Sequence, residues 1–412
     1  MDNLLSTTQA QLPPEVVGLL RTAGELAQRE GQRLYLVGGV VRDLLLGRPN
    51  LDLDLVVQGD APRLARLLAR ASGEKATVHH RFGTVKFHHG SLSVDMATAR
   101  SETYPRPGAL PVVTPATIED DLRRRDFSIN AMAIDLGVTS FGRLLDPFGG
   151  RSDLERRLIR ILHDGSFVDD ATRILRALRY EQRLRFRLEE RTEELLRQHA
   201  TMLDTISGDR IRHELELNLT EDYPERILRR AEELGVLQAI HPSLRGNDWL
   251  AQRFQHARQL GPPDPTLYLM LVVYHLSDEE LEQLAARLNI SGLVKRNMRQ
   301  VQRLKQGLDA LTEPDLPRSG IHRLLKAYSP AAVTACALAC DSPVARSRLK
   351  LYLDELRHVK PCLDGDDLKK LGLQPGPPLG RMLQALLRAK LDGKVNTRKE
   401  EEALVRQRLR HN

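Results

Sequence analysis

Residues 36–57 hold the pattern that most narrows the fold. Leu36-Val37-Gly38-Gly39-Val40-Val41-Arg42-Asp43 leads into Leu51-Asp52-Leu53-Asp54-Leu55-Val56-Val57. The first segment reads as an apolar strand ending in a glycine turn, with a helix starting near residues 41–43. The second reads as a strand. Alternate strand side chains share a face, so Asp52 and Asp54 point one way and Leu51, Leu53 and Leu55 the other. A glycine turn lets the backbone approach a phosphate, and helix-start N–H groups favour anions. Two charges on a strand that otherwise reads as buried are costly unless they bind something. Paired carboxylates beside a phosphate cradle suit divalent-metal phosphoryl chemistry, because Mg2+ takes hard oxygen ligands together with substrate phosphates. Singly, Gly-Gly reads as a plain turn and Asp-x-Asp as a solvated strand edge; the combination selects the chemistry.

The pattern around this segment is mixed. An amphipathic helix is expected over 14–30, strands over 33–38, 51–57, 76–79, 84–88 and 91–96, and a helix near 61–72. The histidines at 79, 80, 88 and 89 flank strands and read as surface residues. Residues 100–117 contain four prolines and little periodicity, which predicts a loop. From about residue 151 the strand signals stop, and helices are expected over 152–160, 167–185, 188–203, 207–218, 224–235 and onward. This change from α/β to all-α marks the expected domain boundary.

Three further groups carry chemistry. Asp95, in the alternating run Ser93-Val94-Asp95-Met96, is placed to join Asp52 and Asp54 from a neighbouring strand. It reads either as a third carboxylate that helps deprotonate an attacking hydroxyl or as an exposed strand residue. Arg123-Arg124-Arg125-Asp126, followed by Asn130, offers cationic forks for phosphate and hydrogen-bonding groups for a ribose. Phe127, Ile129 and Met132 lead that segment into a core. Asp170, Arg173, Arg176 and Arg179 recur at i+3 and would line one side of a helix. They read either as a solvated salt-bridging face or as a base reader. In the second case Asp170 accepts from the amino group of cytosine or adenine while Arg173 donates to the ring nitrogen, a polarity that uracil and guanine invert.

Composition limits the alternatives. Lys and Arg exceed Asp and Glu by 62 to 55, which suits a polyanionic partner. Aromatics are only 4%, so recognition by base stacking is not the theme. Cys336, Cys340 and Cys362 are too few for a disulfide framework, and no disulfide-linked partner is expected. Cys336 and Cys340 read as small core residues of an Ala-rich helix. The N-terminal residues show no signal-peptide pattern, no run approaches a membrane span, and a cytoplasmic location is the expectation.

These motifs resemble the class II tRNA nucleotidyltransferase and bacterial poly(A) polymerase family, which comprises CCA-adding enzymes and their CC-adding and A-adding relatives. Gly38-Gly39-Val40-Val41-Arg42-Asp43 with Asp52-Leu53-Asp54 is similar to the first family motif. Arg124-Arg125-Asp126-Phe127-Ser128-Ile129-Asn130 resembles the ribose-discriminating motif, and Leu145-Asp146-Pro147-Phe148-Gly149-Gly150 the hinge. Asp169-Asp170-Ala171-Thr172-Arg173 falls where the nucleotide-templating motif lies, with Asp169 in place of the usual Glu. Gly208-Asp209-Arg210-Ile211-Arg212-His213-Glu214 resembles the last neck motif.

The resemblance implies an α+β head with a polymerase-β-like nucleotidyltransferase fold and a small mixed sheet, followed by an all-α neck, body and tail. The head would span 1–150, the nucleotide-selecting neck 151–220, the body 221–310 and the tRNA-binding tail 311–412. It implies an enzyme that adds C and/or A from CTP and ATP to the tRNA 3′ end. Asp52 and Asp54 would hold Mg2+, with Asp95 as the third carboxylate. Gly38, Gly39 and Arg42 would meet the triphosphate, and Arg125, Asp126 and Asn130 the triphosphate and ribose. Asp170 and Arg173 would select the base, assisted by Arg176 and Arg179. The 100–117 segment falls where the family has a flexible loop needed for A addition, which argues against a purely CC-adding enzyme. A poly(A) polymerase of the same fold and a non-catalytic RNA-binding protein are the alternatives.

Overall fold

The computed structural model describes residues 3–71, 76–79, 84–89, 92–262 and 264–410. The four histidine side chains expected at the surface, at 79, 80, 88 and 89, lie outside the described residues. The chain forms two compact units, Met1–Ile240 and His241–Asn412.

The first unit opens with α1 (Leu5–Gln11) and α2 (Pro14–Arg29). Pro14 starts α2 at a position where its missing N–H costs nothing, and Val16, Leu19, Leu20, Ala23 and Ala27 form its buried stripe. Then follow β1 (Arg33–Val37), α3 (Gly39–Leu45), β2 (Asp52–Gln58), α4 (Ala61–Ala71), β3 (Ala76–His79), β4 (Thr84–His89) and β5 (Leu92–Thr98). Next come β6 (Arg100–Thr103), β7 (Val112–Pro115), α5 (Ile118–Arg123), a 3-10 turn at Ser128–Asn130, β8 (Ala133–Asp135) and β9 (Leu144–Leu145). The main sheet runs β3-β4-β5-β2-β1-β8-β9. It is mixed: β2 and β5 are parallel, and β1 pairs antiparallel with both β2 and β8. Tyr35, Val37, Val56, Ala99, Ile118, Leu122, Ala131 and Ala133 form a core cluster under one face.

The expected loop over 100–117 is corrected by the structure. Arg100–Thr103 pairs antiparallel with Val112–Pro115, and the hydroxyls of Ser101 and Thr114 meet across the pair at 2.8 Å. Three of the prolines sit in the connecting turn and Pro115 at the end of its strand, places where a missing N–H is harmless. A two-stranded edge needs no long hydrophobic alternation, so its sequence signal was faint.

The helical part of this unit is α6 (Gly150–Arg156), α7 (Ser166–Asp169), α8 (Thr172–Leu184), α9 (Glu190–Gln198), α10 (Gly208–Leu219), α11 (Pro224–Glu233) and α12 (Val236–Ile240). Two short strands interrupt it: β10 (Leu158–Ile159) pairs in parallel with β11 (Arg187–Leu188). The single helix expected over 167–185 is broken. Asp170 is extended, at φ −139° and ψ 98°, and its carboxylate accepts from the backbone N and hydroxyl of Thr172. Aspartate competes for backbone donors in this way, which favours it at helix starts over helix interiors.

The second unit is helical throughout its described residues: α13 (Asp248–Arg258), α14 (Pro265–Val272), α15 (Asp278–Arg287), α16 (Gly292–Gln306), α17 (Arg318–Leu325), α18 (Pro330–Ala339), α19 (Pro343–Asp354), α20 (Gly365–Lys370), α21 (Pro377–Leu391) and α22 (Arg398–Arg410). Apolar α18 sits at its centre, with Cys336 and Cys340 buried as expected. A terminal cluster of Leu363, Leu368, Leu373, Met382, Leu386 and Val405 is pinned by the fully buried Glu401. Glu401 accepts from the backbone N of Cys362 and of Leu363, both at 2.9 Å. No helix among the described residues is long and apolar enough to cross a membrane. Replacing Glu401 with Ala strands the buried N–H of Leu363 and the part-buried N–H of Cys362 and is expected to cost about 1–3 kcal/mol, read as a lower urea midpoint for the cooperative loss of α20–α22 helicity.

Candidate active site

A cleft of about 560 Å3 opens in the first unit where the carboxylate end of β2, the turn after β1, the β6–β7 hairpin and α8 converge. It is lined by Gly38, Gly39, Arg42, Asn50, Asp52, Asp54, Glu102, Tyr104, Pro111, Arg124, Arg125, Asp126, Asn130, Asp170, Thr172, Arg173, Arg176, Tyr180, Arg183 and Glu214. The structure thus brings together residues from segments more than 100 positions apart in the chain.

The alternation of β2 sets the carboxylate face. Leu53 and Leu55 are buried, while Asp52 is exposed and Asp54 half-buried toward the cleft. Gly38 takes φ +77°, a left-handed conformation that other residues adopt only with strain. A Cβ there would stand 2.9 Å from Nη1 of Arg125 and 3.4 Å from Oδ2 of Asp54. The missing side chain is what lets the turn sit against that pair. Burial raises the Asp54 carboxyl; the Arg125 charge opposes this and the Asp52 and Asp95 charges add to it, leaving it at about 6. A half-buried carboxylate with a second one beside it fits a divalent cation, which restores the charge balance. Among the described residues no group of three His, Cys, Asp or Glu is placed to cage a metal. Asp52 and Asp54 are hard oxygen donors of the kind that Mg2+-type coordination combines with water and phosphate.

Asp95 sits beside Asp54 in the parallel pairing of β2 and β5. It lies outside the cleft lining, with its carboxylate 3.4 Å from Nζ of Lys86 and about two-fifths exposed. Arg179, expected to assist at the base, is also outside the lining. It is buried, and its Nη1 donates to Glu214 at 2.7 Å.

Asp126 lines the cleft but has no acceptor to spare. Its Oδ1 takes the backbone N of Phe127 at 2.9 Å and Nδ2 of Asn130 at 3.0 Å; its Oδ2 takes Nε and Nη2 of Arg176 at 2.9 and 2.6 Å. All four acceptor positions of Asp126 are thus filled within the protein, so in this structure it holds the groups around it. Burial alone would raise its carboxyl, but the charge and hydrogen bonds of Arg176 and the Asn130 amide hold it below its ordinary value. Asn130 in turn accepts from Nη1 of Arg42 at 2.8 Å, and Arg42 forks onto Asp43 with two bonds of 2.9 Å. The other end of this run of bonds is Glu214 on α10, which faces Arg176 and Arg179.

Arg173 is buried, with Nη1 donating to the Ser166 hydroxyl at 2.7 Å and Nη2 to the Arg124 carbonyl at 2.6 Å. Asp170 faces it from the helix break and pairs with Arg210 at 2.7 Å. Sequence reasoning missed Glu102, Tyr104, Tyr180, Arg183 and Arg210 as site residues. Glu102 ties the hairpin to Arg124 at 3.0 Å and accepts from the Tyr104 hydroxyl at 2.9 Å; both lie in the segment read as a loop. Tyr180 has Arg42, Arg176, Arg179 and Arg183 within 5.2–5.9 Å of its ring centroid. Its spacing of four from Arg176, and Arg183's of seven, is the helical signal that could have found them.

In the second unit a separate basic cleft is lined by His322, Arg323, Lys326, Arg381, Arg388 and Arg408 among others.

Comparison with known proteins places these features in context. Residues 34–160 match the family described as Poly A polymerase head domain, and residues 185–246 the family described as Probable RNA and SrmB- binding site of polymerase A. The chain is 36% identical over 411 residues to the A-adding tRNA nucleotidyltransferase of Geobacter sulfurreducens, with 95% of this chain and 47% of that protein covered. The chain therefore spans about half the length of that relative. It is 34% identical to the A-adding tRNA nucleotidyltransferase of Halalkalibacterium halodurans, covering 100% of this chain and 96% of that one. A solved structure of the Thermotoga maritima CCA-adding enzyme complexed with tRNA_CCA superposes with a TM-score of 0.81 at 32% identity, over 99% of each chain.

The Asp126–Arg176 pair yields a pH-dependent expectation. Asp126 titrates below its ordinary 3.8 in the folded protein. Its contribution to stability is complete above that value and is lost as the pH falls through the folded-state one. Asp126→Asn should destabilise the protein by about 3–5 kcal/mol at pH 7, and the gap to wild type should narrow as the pH falls below 3.8 in chemical denaturation.

Proposed function

The chain belongs to the family of tRNA nucleotidyltransferases and poly A polymerases, and from that premise we propose that it is a tRNA nucleotidyltransferase of the cytoplasm. It adds C and/or A from CTP and ATP to the tRNA 3′ end without a nucleic-acid template and releases pyrophosphate. The observation that carries this reading is the cleft that gathers Asp52 and Asp54, Arg125, and the Asp170–Arg173 pair around one space. Within the class, the A-adding names of the two relatives favour addition of the terminal A.

Asp52 and Asp54 hold Mg2+, which when bound supplies Lewis-acid activation of the RNA 3′-hydroxyl and charge neutralisation at the α-phosphate. Asp95 adds a third carboxylate beside them and takes part in accepting the hydroxyl proton. The Gly38–Gly39 turn and Arg125 receive the triphosphate, with Nη1 of Arg125 already against the turn. Arg42, Asn130 and Asp126 form a hydrogen-bonded frame in which Arg42 keeps two guanidinium N–H groups for the triphosphate and Asn130 one amide N–H for the ribose. Asp170 accepts from the amino group of cytosine or adenine, and Arg173 donates through Nε or its second Nη2 hydrogen to the adjacent ring nitrogen. Arg176 holds Asp126, and Arg179 acts behind it through Glu214. The head, neck, body and tail divisions at 150, 220 and 310 are part of this proposal. The basic cleft of the second unit grips tRNA phosphates.

The assay supplies Mg2+ and three tRNA transcripts, ending at the discriminator base, at C and at CC, with CTP, ATP or both. A single A added to the CC-ended transcript alone supports the A-adding reading. Growth of the first transcript to CCA marks a complete CCA-adding activity, and arrest at CC marks a CC-adding one. Long adenylate tails would establish a poly(A) polymerase, and no extension would leave an RNA-binding protein. Asp54→Asn should lower incorporation at least ~10^3-fold, the scale of losing a metal-ligand carboxylate, with tRNA binding by filter retention unchanged. Because Asp54 takes up a proton near pH 6, Mg2+ affinity measured by calorimetry should weaken by about tenfold per pH unit below that point; a flat profile from pH 7 to 5 would remove Asp54 from the metal site.

A further inference from the structure

Arg210 stands behind the cleft on α10 and is not among its lining residues. Its Nη2 donates to Oδ1 of Asp170 at 2.7 Å, and its Nη1 is buried without a partner. The same Oδ1 also receives the backbone N of Thr172 at 2.9 Å and the Thr172 hydroxyl at 2.6 Å. Three donors saturate one carboxylate oxygen, so the acceptor left for a base is Oδ2. Thr172 comes from the same turn as Asp170, whereas Arg210 comes from a different helix, 40 positions along the chain.

The geometry points to Arg210 as a positioning residue for base selection, an inference that rests on the reading of Asp170 as the acceptor of the base amino group. It fixes which oxygen of Asp170 faces the nucleotide. A polar group discriminates between bases only when its direction is fixed.

The test measures kcat/KM for CTP, ATP and UTP on a tRNA transcript ready to accept the next nucleotide, with melting curves for every variant. Arg210→Gln should lower the preference for the correct nucleotide over UTP by about tenfold, the scale of one charged hydrogen bond. Arg210→Lys, which keeps the cation, should retain most of the preference. In an Asp170→Ala background, Arg210→Gln should change the preference no further. If Arg210→Gln does not fold, Arg210→Met carries the same comparison. An Arg210 variant that slows all nucleotides equally, or leaves the preference intact, while Asp170→Ala collapses it, overturns the positioning role and spares the Asp170 reading. An unchanged preference in Asp170→Ala overturns that reading and this inference with it.

Discussion

The buried pair between Asp126 and Arg176 is the constraint on which the rest of the cleft depends. A carboxylate this far from water is tolerated only when its acceptor positions are filled, and Asp126 fills all of them from the protein. Two donors come from its own segment and two from α8, so a single group welds the end of the sheet domain to the first long helix beyond it. From Asp126 the bonding runs through Asn130 to Arg42 and Asp43 on one side, and through Arg176 to Glu214 and Arg179 on the other. The polar wall of the cleft is thereby built before any ligand arrives. Preorganised polar groups of this kind need little rearrangement when charge enters the site.

Much of this was legible in the sequence, and the parts that were not share a cause. The Asp52–Asp54 alternation, the Gly38 turn and the amphipathic helices are local patterns, and local patterns survive into the fold. Cys336 and Cys340 fell into the core of α18 for the same reason. The β6–β7 hairpin was invisible because its prolines dominate its composition, although they sit where strand pairing does not need their N–H. The helix break at Asp170 was hidden by apolar periodicity continuing on both sides of it. Residue type suggested which groups would face a ligand, but not which would be used up by one another. Asp126 and Arg179 look like open ligand-binding groups in one dimension, and are internally bonded in three.

The same reasoning applies to Arg210, which the sequence placed in a motif without a role. A residue that acts through another leaves no trace of its partner in composition or spacing; only the hydrogen bond to Asp170 reveals it. Glu102 behaves likewise, carrying the hairpin's connection to Arg124 from a segment without periodicity. Sites assembled from several chain segments place such supporting groups wherever the backbone happens to pass, and their identity is a property of packing.

The cleft lining has one more consequence. Arg42, Arg124, Arg125, Arg173, Arg176 and Arg183 are matched in number by Asp52, Asp54, Glu102, Asp126, Asp170 and Glu214. Formally the cavity is electroneutral, despite its wealth of guanidinium groups. Such a wall carries no excess positive charge to offset a bare polyphosphate, and a ligand of four negative charges would leave the cavity strongly anionic. An anion of that kind enters at least cost with its own counter-cations already attached. The cavity is thus suited to a salt and not to a free acid.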